Sequence, residues 1–275
     1  MSQKFPCSPV TCPIFQASDI LERKTFDLYD TNPTHMKRLF VFALLSVILF
    51  SSCRHFFGRH IKGNGNVITQ SRTASGFNGV EVSSAIHLYV KQDSAFSVKV
   101  EIDEDLQQYI IVSNEDNILH IQQENNTNLD ATGQIKVYVS APLFKYLGAS
   151  GACKIITENT ITNADGITVH VSGASNAEIE LNAPKVSAEM SGASDITMKG
   201  ETKDLTVNGS GASHARLFDL KTENADVDVS GASSTEVFAS VKLKADASGA
   251  SHVKYRGNAA LDRSESGAGK VDKAD

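Results

Sequence analysis

The tetrad Ser-Gly-Ala-Ser returns five times in the second half of the chain, beginning at Ser172, Ser191, Ser210, Ser230 and Ser248. Imperfect copies flank the series, Ser150-Gly151-Ala152-Cys153 and Ser266-Gly267-Ala268-Gly269. Successive glycines, from Gly151 through Gly173, Gly192, Gly211, Gly231 and Gly249 to Gly267, stand 18 to 22 residues apart. A unit of that length cannot bury its own apolar face, so it is stable only when stacked on copies of itself. The repeat therefore constrains shape strongly and chemistry hardly at all.

Aligning the copies on their first Ser exposes a second period. Column six reads Ile155, Ala177, Ile196, Ala215, Thr235, Val253, and column eight reads Thr157, Ile179, Met198, Leu217, Val237, Tyr255. Ahead of the tetrads stand Val169 and Val171, Ala188 and Met190, Val207, Val227 and Val229, Ala245 and Ala247, alternating with His170, Glu189, Asn208, Asp228 and Asp246. Alternation at period two predicts strands with one buried face. Two strands meet at each tetrad, and a third short segment such as Pro184-Lys185-Val186 closes the coil. The Gly supplies a backbone conformation or a close approach that a Cβ would block. The expected fold is all-β: a right-handed parallel β-helix (solenoid) of about 19-residue coils, with neighbouring coils about 4.8 Å apart. The fourth tetrad position then stacks Cys153, Ser175, Ser194, Ser213, Ser233 and Ser251, whose hydroxyls can bond at the bend. Cys153 reads as a buried substitute for Ser.

Residues 66–146 lack the tetrad but read as β. Strand candidates are Gly79 to Val90, Phe96 to Ile102, Ile118 to Gln122 and Gln134 to Val139, with turn signals at 92–94, 114–117 and 125–133. Ser84-Ala85 looks like a decayed tetrad. This N-terminal β segment is expected to cap the repeats (147–265) or to form irregular first coils, because an open solenoid end invites aggregation. Residues 266–275 are expected to be a polar C-terminal cap or tail.

The first 65 residues carry an address. Met36-Lys37-Arg38 opens a basic n-region, Leu39 to Phe50 is apolar, and Ser51-Ser52-Cys53 follows. That order is a secretory signal, and a 12-residue apolar run is short for a spanning helix. Phe50-Ser51-Ser52-Cys53 resembles a bacterial lipobox, which makes Cys53 the lipidation site, residues 36–52 the signal peptide and 53–65 a tether. Residues 1–35 fit no part of a signal and are expected to be a mis-annotated leader. A peptide from 1–35 detected in cells by mass spectrometry would refute this. Arg54 carries no inner-membrane retention signal, so the expected partner is the outer membrane, through the lipid anchor.

The opening Ser71-Arg72-Thr73-Ala74-Ser75-Gly76-Phe77-Asn78-Gly79-Val80-Glu81-Val82, the strand Ile135 to Val139 followed by Ala141-Pro142-Leu143, and the Ser-Gly-Ala-Ser copies resemble the head GIN domain family. That family is labelled auto-transporter adhesins and is common among Bacteroidetes lipoproteins. The resemblance covers about Asn66 to Val271. It implies a right-handed β-helix on the envelope, and it carries over no functional residues.

Composition excludes some roles. A formal charge of -6 with no basic block argues against nucleic acid. No cysteine spacing fits zinc or a disulfide framework. Column five, with Lys154, Asn176, Asp195, His214, Ser234 and His252, places Asp195, His214 and Ser234 on successive coils and imitates a triad. The column should face solvent, so a hydrated polar ladder is the expected reading. His214 and His252 lie two coils apart, too far to share a metal. Outward charges alternate in sign from Glu178 to Lys203, and Trp is absent, unlike β-helix enzymes that cleave acidic polysaccharides. Asp93-Ser94-Ala95 resembles a short O-glycosylation motif, or is a hairpin turn. The sequence thus predicts no catalytic residues, no metal and no cofactor, with the ligand unidentified. The expected protein is a non-enzymatic cell-envelope lipoprotein, adhesin-like or a scaffold, with a glycan, an envelope protein or a second copy of itself as partner. The alternative is a carbohydrate-active β-helix enzyme.

Overall fold

The computed structural model describes residues 58–274. The expected leader (1–35), the expected signal peptide (36–52) and Cys53 lie outside the described residues. The described residues contain twenty-two strands and one short 3₁₀ helix. Among the described residues no helix is long and apolar enough to cross a membrane.

The repeats form a parallel β-solenoid. The strands Asn176–Met190 and Asp195–Gly209 each run from one tetrad to the next and pair in register along their whole length, from Asn176 opposite Asp195 to Met190 opposite Gly209. No separate closing strand exists there: Pro184 and its neighbours form a bend inside one continuous strand. Leu220–Val229 and Lys242–Ala247 continue one face, while His214–Leu217, Ser234–Phe238 and His252–Arg256 continue the other.

The corners explain the repeat. Each tetrad glycine has positive φ, between 72° and 82° from Gly151 to Gly249. The following Ala donates its N–H to the glycine carbonyl of the coil before, as in Ala193 to Gly173 and Ala232 to Gly211, both 2.7 Å. A Cβ on Gly192 would lie 2.5 Å from Gly173 O. Backbone thus stacks directly on backbone around the turn, and only glycine leaves room for it.

Behind the corner lies the serine ladder. Ser175, Ser194, Ser213, Ser233 and Ser251 are all buried. Ser233 Oγ donates to Ser230 O at 2.7 Å and accepts from Ser213 Oγ at 3.3 Å. Ser251 Oγ donates to Val229 O at 3.1 Å, and Ser175 Oγ accepts from the Cys153 N–H. Ser194 Oγ is buried without a partner. Most of columns six and eight and the apolar residues before each tetrad form one continuous core that includes Ile196, Met198, Val207 and Leu217.

The N-terminal segment is wound into the same stack, out of chain order. Gly79–Val82 lies between Ile118–Gln123 and Tyr146–Ala149, parallel to both. Ile86–Gln92 lies likewise between Ile135–Ala141 and Lys154–Thr157. The coil made by 118–141 is therefore one step further from the repeats than the coil made by 79–92, although it comes later in sequence. The predicted strand Gly79 to Val90 is broken by a corner at 83–85. Ser84 and Ala85 adopt φ of 71° and 58°, and a Cβ on Gly151 would lie 3.3 Å from Ser84 N. The decayed tetrad is a working corner.

Antiparallel strands end the stack at this side. Ile110–Glu115 pairs with Ile118–Gln123 through a two-residue turn at Asp116 and Asn117, both at positive φ. Ser97–Asp103 pairs with Ile135–Ala141, and Val67–Arg72 pairs with Ser97–Asp103. Asp93-Ser94-Ala95 is not a hairpin turn: the strands on either side of it do not pair, because both flank Ile135–Ala141. The 3₁₀ helix Glu104–Tyr109 connects the two faces and buries Leu106 in the core. Asp103, fully buried, accepts from Gly65 N, Thr132 N and Thr132 Oγ1 at 2.7 to 2.9 Å. The described part of the expected tether is also structured, since Arg59–Lys62 pairs with Thr127–Asp130.

At the other end, Lys270–Lys273 pairs with His252–Arg256 and buries Val271, so the segment 266–275 contains the last strand of one face. On the other face, the inward columns end in charge: Arg263 stands in register with Ala245, and Glu265 with Ala247.

Candidate binding surface

The outward columns carry the polar chemistry. Asp195, His214, Ser234 and His252 do stand in register on successive coils. The arrangement is not a triad. Arg216 Nη1 lies 2.9 Å from Asp195 Oδ1, against 4.0 Å for His214 Nδ1, so the carboxylate is held first by Arg216. Half of the His214 side chain is exposed, and no hydrogen bond joins it to Ser234 among the described residues. His252 pairs instead with Asp272, at 2.9 Å. Among the described residues no three His, Cys, Asp or Glu side chains are placed to hold an ion.

Several other outward charges are joined across neighbouring strands. Lys154 reaches Glu178 and Lys199 reaches Glu180, each at 2.7 Å, and Lys136 reaches Glu101 at 2.9 Å. Such solvent-screened pairs contribute little each. The Lys136 hydrogen bond holds the Glu101 carboxyl below its usual range, against the opposing effect of burial. Burial, then the Lys154 and Lys136 cations, push His87 below the usual imidazole range. Tyr89 and Tyr138 stack on adjacent coils with ring centres 5.0 Å apart. Cys153 is buried in the ladder, and that burial pushes its thiol up, away from the reactive thiolate.

Two outward aromatics escaped the column reading. Phe218 and Phe238 occupy the ninth position of adjacent coils, between Lys199 and Arg256. Arg256 lies 4.2 Å from the centre of the Phe218 ring, and Lys221 lies 4.5 Å from that of Phe238. Reading column nine beyond column eight would have found them, because two phenylalanines on a polar outward column have no core to fill.

The fold and its surface define a parallel β-solenoid that presents periodic polar ladders to solvent. The model of the family described as "Putative auto-transporter adhesin, head GIN domain" matches residues 76–259, and the chain belongs to that family. Three crystal structures share the fold. A "putative adhesin" from Bacteroides fragilis is 18% identical, with a TM-score of 0.73 over 78% of this chain and all of that one. A "putative adhesin" from Parabacteroides merdae is 20% identical, with a TM-score of 0.63 over 79% and all of that chain. A "putative lipid binding protein" from Parabacteroides distasonis is 20% identical, with a TM-score of 0.64 over the same shares. No curated protein matches the sequence.

Proposed function

We propose that the chain is a non-enzymatic lipoprotein of the bacterial cell envelope, held in the outer membrane by a lipid on Cys53, whose solenoid binds or assembles through its repeated surface. One observation carries the reading: on successive coils, outward charges such as Lys154 with Glu178 and Lys199 with Glu180 are engaged with one another instead of converging on one point. Catalysis needs groups that converge on a reacting atom. Binding an extended partner needs only regular presentation, and the stack supplies a period of about 4.8 Å. The basic, apolar and small-residue order of 37–53 supports the anchor, and the adhesin description of the family supports the binding role.

Two measurements test this. In cell fractions the wild-type chain is expected with the outer membrane and the Cys53→Ser chain in the soluble fraction; equal membrane retention of both would sink the anchor. A glycan array run beside an activity screen should give saturable binding without turnover. Cleavage of a polysaccharide would favour the carbohydrate-active enzyme instead.

A further inference from the structure

The bends of four successive coils form an open trough of about 500 Å³, lined by Asn182, Glu201, Lys203, Lys221, Glu223 and Phe238 among others. Its volume is that of a small-ligand site. Three coil spacings of about 4.8 Å make it roughly 14 Å long.

Lys221 lines the trough, and Arg256 stands beside it as the register partner of the lining residue Phe238. Among the described residues of the repeats, Lys154, Lys199, Arg216 and Lys244 are ion-paired with carboxylates, and Lys185, Lys203, Lys242 and Lys254 have neither a carboxylate nor a ring. Lys221 and Arg256 form no such pair among the described residues and lie instead on the rings of Phe238 and Phe218. Arg256 is the register partner of Phe238, so it reaches back across that coil to cover Phe218. The Lys221 ammonium also donates to Phe218 O at 3.3 Å, which fixes its position. A cation on an aromatic face is held there by the ring's quadrupole and keeps most of its N–H donors free. Two such cations, pre-positioned and without a carboxylate, are arranged to accept an anion from outside. Glu201 and Glu223 line the same trough, and they repel a ligand of high charge density while accepting hydrogen bonds from hydroxyl groups.

We infer that this trough binds a linear glycan containing uronic acid, with a sugar carboxylate on Lys221 and Arg256 and hydroxyl groups on Glu201, Glu223 and Asn182. The inference rests on the proposed binding role and supplies its ligand class. A polymer fits the length of the trough better than a single anion does, and its spaced carboxylates suit a site where acids alternate with bases.

The test uses the full chain in detergent, titrated with galacturonate oligomers, with neutral dextran oligomers and with phosphatidylglycerol vesicles. Saturable binding of the galacturonate oligomers, absent for dextran, is expected. The double variant Lys221→Gln/Arg256→Gln should weaken it at least about tenfold, since charge-assisted hydrogen bonds are lost. Lys62→Gln, an exposed lysine on the N-terminal strand Arg59–Lys62 and outside the trough, should change it less than about twofold, and circular dichroism should be the same for all. Binding that survives the double variant overturns the site but leaves a glycan-binding role standing. Equal weakening by Lys62→Gln shows diffuse charge attraction and overturns it too. Vesicle binding without galacturonate binding overturns the ligand class in favour of an anionic headgroup.

Discussion

At the scale of single residues, the corner glycines and the serines behind them hold the coils in place, and they respond differently to substitution. Gly192→Ala forces an L-residue to a φ of 76° and drives its Cβ into Gly173 O. It should cost about 2–4 kcal/mol, combining left-handed strain with a broken corner hydrogen bond, as read from denaturant midpoints. Ser84 already bears that strain at a φ of 71°, so Ser84→Gly should stabilise by roughly 0.5–1 kcal/mol. Ser233→Ala removes two hydrogen bonds and should cost about 1 kcal/mol, whereas Ser194→Ala removes a hydroxyl with no partner and should be neutral or stabilising. Asp103 adds a pH dependence. Burial opposes its ionisation, but the Thr132 and Gly65 donors outweigh it and hold the carboxyl below its ordinary range. Its stabilising effect is thus full above the unfolded carboxyl pKa and disappears as pH falls through the lower folded value. The midpoint of wild type should drop between about pH 5 and pH 2, more steeply than that of Asp103→Asn. The tetrad made the glycine positions legible in the sequence. The hydroxyl partners were not legible, because adjacent serines differ only by rotamer.

At the scale of elements, one coil is the unit of folding. Residues 191–209 run from one tetrad to the next, and Met190 already stands in register with Gly209. Excising them should leave Ser210 where Ser191 stood, with an unchanged β signature in circular dichroism and an m-value lower by roughly a tenth. Excising 191–200 alone puts the next corner out of register and should unfold the chain. Identical behaviour of the two deletions would contradict the coil as the unit. Period-two alternation made the repeat strands and most of the N-terminal strands readable. It could not reveal that 118–141 stacks outside 79–92, since Ile121 and Leu147 show the same pattern to Val82 and Val80 whichever side they occupy. Val67–Arg72 and Ile110–Glu115 were missed because edge strands bury few of their side chains. The outward Phe218 and Phe238 were visible as residues, but their cations come from other positions in the coil stack, and only the fold brings them together.

At the scale of the whole molecule, the two ends are finished differently. Antiparallel strands and Leu106 close the N-terminal end, while at the other end Arg263 and Glu265 occupy inward positions that every earlier coil leaves free of charge. Arg263 donates to Val271 O, and Glu265 accepts from Val271 N, so the charges are fastened across the last coil. Charges at inward positions disfavour the addition of a further coil by a second copy. Arg263→Leu with Glu265→Val should produce concentration-dependent association in light scattering that wild type lacks at that end; no change would mean another feature blocks it. The most direct test of the stack itself uses spin labels on one outward column, in a chain whose native cysteines are replaced by serine. Each of Lys136→Cys, His87→Cys and Lys154→Cys is paired in turn with Lys270→Cys, and the distance is measured by pulsed electron resonance. The structure predicts that the distance from Lys136 exceeds that from His87 by one coil, about 4.8 Å, and that His87 exceeds Lys154 by the same step. A longest distance from His87, following the order of the sequence, would contradict it.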